Sequence, residues 1–232
     1  MTDPEPAHVD ALSALRRFLD VPFRAQTYRN LAYLALALPL GLGYFVGVTT
    51  GLSLGMGLLV TLVGVPVLVL TLFGATVLAG FEANLARWLL DMDVPTPRAV
   101  GGLEDGSIPT DVDGLVTSLT RFLTASTTWT SLVLVGLKFV FGVVAFVALT
   151  VVGTAVATMV SAPFFYDVPG VMYHIGPYVV DTAAEGTLLA IGGLLVLVVG
   201  LHLLNGLARF FGLVTATLLG SDLHATTPTT QT

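Results

Sequence analysis

The chain contains no cysteine and only one lysine, Lys138, and charged residues occupy just 10% of its 232 positions. Without cysteine there are no disulfides, no thiol catalysis and no cysteine-ligated metals, and the redox compartment stays undecided. The shortage of charge says more. A soluble domain carries about 25% charged residues. Here 55% of positions are hydrophobic and mean hydropathy is +0.90, the composition of a membrane protein. The net charge of −6 lacks the basic footprint that nucleic-acid binding requires. Catalytic signatures are also missing. There is no Gly-x-Ser-x-Gly, no His-Glu-x-x-His and no paired-carboxylate site. Gly55-Met56-Gly57 lacks the Gly-Lys-Ser/Thr ending of a phosphate loop. No enzymatic activity, cofactor or metal is expected. The lysine-poor, Asp-, Thr- and Val-rich composition fits a halophilic source.

Long apolar runs fill the space that charge leaves. Four of them, Leu31–Val48, Leu54–Gly80, Leu132–Val160 and Thr187–Leu207, are long enough to cross a hydrocarbon core of about 30 Å, which takes about 20 residues of helix. Thr49–Ser53 reads as a tight turn between the first two. The arginines are distributed unevenly around these runs. Arg16, Arg17, Arg24 and Arg29 precede the first, Arg87, Arg98 and Arg121 lie between the second and third, and Arg209 follows the fourth. The other two connections contain no Lys or Arg. The positive-inside bias therefore puts both termini and the middle connection in the cytoplasm, with the chain in the cell membrane and the lipid bilayer as its first partner. The first apolar run follows a polar arm and is expected to remain in place as a signal-anchor.

The predicted fold is all-α: an integral membrane four-helix bundle built from two hairpin-like halves, with short amphipathic cytoplasmic helices. Residues 1–23 form the N-terminal arm, 24–222 the membrane domain and 223–232 a disordered tail. In the arm, Val9, Leu12, Leu15 and Leu19 recur at helical spacing, so a short amphipathic helix lies on the inner surface or packs against the cytoplasmic ends of the bundle. Asp111–Ala125 has a similar pattern, while Val94–Pro109 is loop. The halves resemble each other. Leu36, Gly41 and Phe45 match Leu137, Gly142 and Phe146 at equal spacing, and Leu-Ala-Arg recurs at 85–87 and 207–209. Both halves begin and end on the same side, so this is a parallel repeat rather than the inverted one typical of alternating-access carriers.

Two groups of residues could carry function. Glu82, Lys138 and His202 are ionisable side chains at or within the apolar runs, all near the inner face, where they could meet in one layer. Two readings apply to them. In one, Lys138 snorkels to the interface and pairs with Glu82 or a lipid phosphate. In the other, the three form a polar switch whose pairing changes with bundle conformation. The second group lies in the external connection Ser161–Gly186. Tyr166, Tyr173 and Tyr178 offer rigid contact area, and Asp167, Asp181, Glu185 and His174 would select cationic groups. The alternative is an interfacial aromatic belt that includes Phe164 and Phe165.

The run Tyr28-Arg29-Asn30-Leu31-Ala32-Tyr33-Leu34, then Leu38-Pro39-Leu40-Gly41 and Tyr44-Phe45, resembles the start of the putative sensor domain, a four-span module of actinobacterial and haloarchaeal signalling proteins. Ser53 to Leu59, Val63-Gly64-Val65-Pro66 and the Leu89-Leu90 … Val94-Pro95 exit are similar too. So, in the second half, are Trp129, Pro163, Asp181-Thr182 and Gly193-Leu194. The family tends to carry Glu-Arg at the end of span two, whereas Glu82 is followed here by Ala83. The resemblance implies a membrane-embedded input module. With no phosphoacceptor helix and no nucleotide lid in the chain, it would act as a stand-alone module relaying a membrane or external cue to a cytoplasmic kinase or regulator. A structural or accessory membrane protein and a small transporter subunit remain the other readings, and a homo-oligomeric state is open.

Overall fold

The computed structural model describes residues 13, 16, 18–92, 94 and 126–224, with side chains described for 129–219 of the last range. Most of the amphipathic helix expected at Val9–Leu19, the helix expected at Asp111–Ala125, nearly all of the middle loop and residues 225–232 of the expected tail lie outside these.

A single 3-10 turn, Val21–Phe23, leads into α1, Ala25–Gly57. It is followed by α2, Gly64–Leu90; α3, Ser126–Phe165; strands β1, Tyr173–Ile175, and β2, Tyr178–Val180; and α4, Ala183–His224. All four helices are long and apolar enough to cross a membrane. Even the shortest, 27 residues, spans about 40 Å. In lipid every backbone polar group needs an internal partner, and an uninterrupted helix supplies one.

This requirement relocates the first turn. Thr49–Ser53 is helical, and the chain reverses at Leu58–Val63, an apolar stretch. A 3-10 turn, Leu59–Thr61, satisfies its own backbone there, and the Gly64 N–H donates to the Leu58 carbonyl at 3.1 Å. Leu62 adopts a left-handed φ of 61°. Gly64 has no room for a side chain, because an added Cβ would meet the Gly55 carbonyl and the Leu59 nitrogen. Gly55 and Gly57 therefore belong to α1 and not to the second span. Pro66 falls in the first turn of α2, where the missing N–H breaks no helical bond. The outer boundaries of the later spans also move. α3 continues through Pro163 to Phe165, and α4 reaches His224, two residues into the expected tail.

The chain divides into two compact units, one formed by Ala32–Phe146 and Ala208–Thr232, the other by Met1–Leu31 and Val147–Leu207. The first unit is a four-helix bundle. Its core gathers Tyr44, Val48, Ala75 and Val135, with Leu40, Leu52, Leu78 and Leu132 packed around them. Phe141 stacks on Phe211 at 4.2 Å between centroids. Small residues set the helix spacing, as expected where lipid removes the hydrophobic drive between helices. Gly51 and Gly55 of α1 face Thr71 and Leu68 of α2, so these helices form an antiparallel hairpin.

The α1–α3 crossing makes the internal repeat visible. A Cβ on Gly41 would lie 2.5 Å from the Lys138 carbonyl oxygen, and a Cβ on Gly142 would lie 2.5 Å from the Ala37 carbonyl oxygen. Gly142 is the repeat partner of Gly41, and at the same offset Lys138 is the partner of Ala37. The contact is thus reciprocal, each half presenting the same pair of positions to the other, as in an isologous dimer interface.

In the second unit α3 and α4 form the other antiparallel hairpin. Gly186 lies against Pro163, Gly193 against Met159 and Val160, and Gly200 against Val152. Asn30 Nδ2 donates to Asn205 Oδ1 at 2.8 Å, and Asn205 Nδ2 donates to Thr27 Oγ1 at 3.2 Å, joining the start of α1 to α4. The strands β1 and β2 form a two-residue-loop hairpin with Tyr173 opposite Val180 and Ile175 opposite Tyr178. Gly176, at φ +61°, takes the first loop position with Pro177 next, the pattern of a type II′ turn. This small hairpin is an addition to the all-α expectation. The helices of both units turn large apolar side chains outward: Leu70, Val151, Leu188 and Leu203 are each more than 60% exposed. Large apolar side chains at such exposure on membrane-length helices are a surface suited to lipid.

Candidate functional site

The first unit holds a buried charge pair. Lys138 projects from α3 and Glu82 from α2, and Nζ lies 2.6 Å from Oε2 with both side chains 3% exposed. The ammonium also sits 4.2 Å from the centroid of the Tyr33 ring on α1, a cation–π contact that strengthens when desolvated. The buried hydroxyls of Tyr33 and Tyr44 border the pair without well-aligned hydrogen bonds. Thr215 of α4 lies beside Tyr33. All four helices of the bundle thus contribute a side chain. An isolated charge at the centre of a membrane helix costs on the order of 3 kcal/mol or more, and pairing offsets much of that cost.

Glu82 and Lys138 therefore meet, as one reading of the sequence has it, but the lysine does not snorkel. It is 3% exposed, with the Tyr33 ring and Glu82 against its ammonium. About two turns of α2 follow Glu82. His202 belongs to the second unit, where it stacks on Phe18 at 4.3 Å and places Nδ1 2.9 Å from the Val198 carbonyl oxygen, which assigns the proton to Nδ1.

The connection between α3 and α4 is organised by α4. Thr182 is the N-cap, its hydroxyl accepting the Glu185 N–H at 3.3 Å. The Glu185 carboxylate reaches back to the N–H groups of Thr182 and Asp181 at 3.3 and 3.1 Å. This is a capping box written as Thr-x-x-Glu. Tyr178 donates its hydroxyl to the other Glu185 oxygen, and the carboxylate so placed holds the phenol above its ordinary pKa. Glu185 and the Asp181 backbone are thereby engaged in starting a helix. Tyr166 and Asp167 follow the end of α3, where the Tyr166 N–H still bonds to the Ala162 carbonyl.

Tyr173 and His174 do line a cavity, of about 370 Å³. It lies between β1 with the residues just before it, the last turns of α3 and Leu189 of α4. The Tyr173 hydroxyl is 3.0 Å from Ser161 Oγ, which itself donates to the Thr158 carbonyl. None of the acids expected to shape this region lines the cavity. The sequence reading also passed over the tyrosines around Lys138 and the Asn30–Asn205 bond. The available signal was polarity: Asn30 and Asn205 border apolar runs, where an amide needs a partner.

Together these features define an α-helical, multi-pass membrane protein with a charge pair sealed inside its bundle. Comparison with known families goes one step further: the family model described as Putative sensor matches residues 33–219, and the chain belongs to that family. No curated protein and no solved structure matches the chain.

Proposed function

We propose that this protein is a membrane sensor module, without catalytic activity of its own, that relays a membrane or external cue to a cytoplasmic signalling partner such as a kinase or regulator. The Glu82–Lys138 pair carries the reading. Four apolar helices gain nothing in membrane insertion from a buried acid and base, and hydrophobic residues of similar volume are often as stable or more so. What a single pair can provide is a choice of packings: closed when the ions meet, open when they part. A cue that binds the two packings unequally shifts their populations. In this reading both termini and the middle connection face the cytoplasm, where the arginines cluster, and residues 166–182 face outward.

The test combines two measurements on the full chain. Spin labels on α2 and α3 report the distance distribution between these helices in lipid nanodiscs, and cross-linking in cells identifies cytoplasmic partners. The proposal expects Glu82→Gln to broaden or move the distribution and to change the yield of a cross-linked kinase or regulator. An unchanged distribution and yield in both Glu82→Gln and Lys138→Met would rule the relay out. Capture of transport or scaffold proteins alone would favour the accessory or transporter readings.

A further inference from the structure

We propose that the cavity beneath the β-hairpin binds a neutral amphiphile with a hydroxyl head, taken up from the lipid phase. The inference names the input of the proposed sensor and rests on that reading only in calling it an input; binding itself is argued from the cavity. At about 370 Å³ it has the volume of a small-molecule site. No carboxylate, lysine or arginine lines it. A cationic head group would therefore enter without a counter-charge, which disfavours the cationic ligands that the acids of this segment first suggest, and an anionic one would meet no lysine or arginine, only the His174 ring.

The hydrogen-bond inventory selects further. Ser161 has one hydroxyl proton, and the Thr158 carbonyl, which can only accept, takes it at 3.0 Å. The contact between Ser161 and Tyr173 is then made by the Tyr173 proton. Both protons are spent, and the phenol oxygen retains acceptor capacity at the cavity wall. An alcohol donates to it, whereas a carboxylate has no proton to give. Thr158 and His174 complete the polar side of the lining, and the rest is apolar and adaptable: Met159, Val171, Met172, Ile175 and Leu189. The helical walls belong to membrane-length helices, and Phe164, Leu188 and Ile191 beside them are 76%, 70% and 53% exposed apolar residues. The cavity is thus continuous with the lipid-facing surface, and a membrane-dissolved ligand reaches it without crossing water.

The experiment uses the full chain in phosphatidylcholine vesicles with three diazirine-bearing probes of equal chain length: an alcohol, a carboxylate and an amine. Labelled peptides are mapped by mass spectrometry. The alcohol is expected to label residues 158–175 and 189 saturably, with competition by excess unlabelled alcohol and not by the carboxylate. Tyr173→Phe is expected to lower that labelling about tenfold, the scale of one hydrogen bond. Leu189→Trp, which fills the cavity from the helix side and leaves the hairpin untouched, is expected to abolish it. Equal labelling by all three probes, labelling no stronger than at Leu195 or Leu203, or indifference to both substitutions would overturn the proposal. Saturable alcohol binding that leaves the interhelical distances unchanged would keep the site and remove its role as the input. Distances that respond to Glu82→Gln in a chain that binds no alcohol would do the reverse.

Discussion

At the scale of single residues, the buried pair decides most. Lys138 and Glu82 are the charged side chains that the described structure buries most completely, at 3% and 2% exposure. Breaking such a pair leaves an uncompensated charge and costs roughly 3–5 kcal/mol, whereas replacing both partners with apolar residues is often neutral. Lys138→Met and Glu82→Leu should each lower the thermal midpoint in detergent sharply, and the double variant should recover most of the loss. Purely additive losses would show that the two side chains do not interact. A second residue-scale prediction concerns Tyr178, whose phenol is held above its ordinary value of 10.0 by its hydrogen bond to Glu185. A folded-state pKa raised in this way stabilises the hairpin below pH 10, and the contribution fades as the phenol ionises at higher pH. The absorbance titration of Tyr178, isolated as wild type minus Tyr178→Phe, should move down when Glu185 is changed to Gln. At this scale the sequence was legible in kind. A charge inside an apolar run is conspicuous, and Glu82 was one of the two partners its position allowed, beside a lipid phosphate. Its surroundings were not legible, because nothing in the spacing of Tyr33 and Tyr44 ties them to Lys138 until the bundle closes around them.

At the scale of elements, glycine sets how closely helices approach. Gly41 and Gly142 each leave room for the other helix's backbone, which cannot move aside as a side chain can, while Gly43, one turn's fraction away, faces open space. Gly41→Ala or Gly142→Ala should cost about 1–3 kcal/mol through overpacking, measured by denaturant unfolding in mixed micelles. Gly43→Ala should be neutral or slightly stabilising. Equal effects at 41 and 43 would mean that the crossing tolerates separation. The N-cap of α4 gives a further check: Thr182→Ala should speed amide exchange at residues 183–187 and leave residues 190–200 protected. Element boundaries show why sequence alone misplaced the first turn. Thr49-Thr50-Gly51 has the composition of a turn in water, but in an apolar setting backbone satisfaction outweighs side-chain polarity, and the reversal moves to Leu58–Val63, where Gly64 admits it. The β-hairpin escaped notice because its strands are three residues each, too short for alternation to register.

At the scale of the whole molecule, hydropathy sufficed for four spans, and the motif residues from Tyr28 to Pro66 pointed to the family. The structure adds what they cannot carry: a reciprocal crossing between the two halves, a charge pair reached by all four helices of the bundle, and a cavity under the β-hairpin lined by no carboxylate, lysine or arginine. The account requires that this cavity and the middle connection lie on opposite faces of the bilayer. The chain has no native cysteine, so single replacements can be read without background. Met172 is 71% exposed beside the hairpin, and Thr96 lies in the middle connection. The direct measurement is labelling of Met172→Cys and Thr96→Cys with a membrane-impermeant maleimide on intact cells and after lysis. The account predicts that Met172→Cys reacts on intact cells and Thr96→Cys only after lysis; both reacting from the same side, or the opposite order, would contradict it.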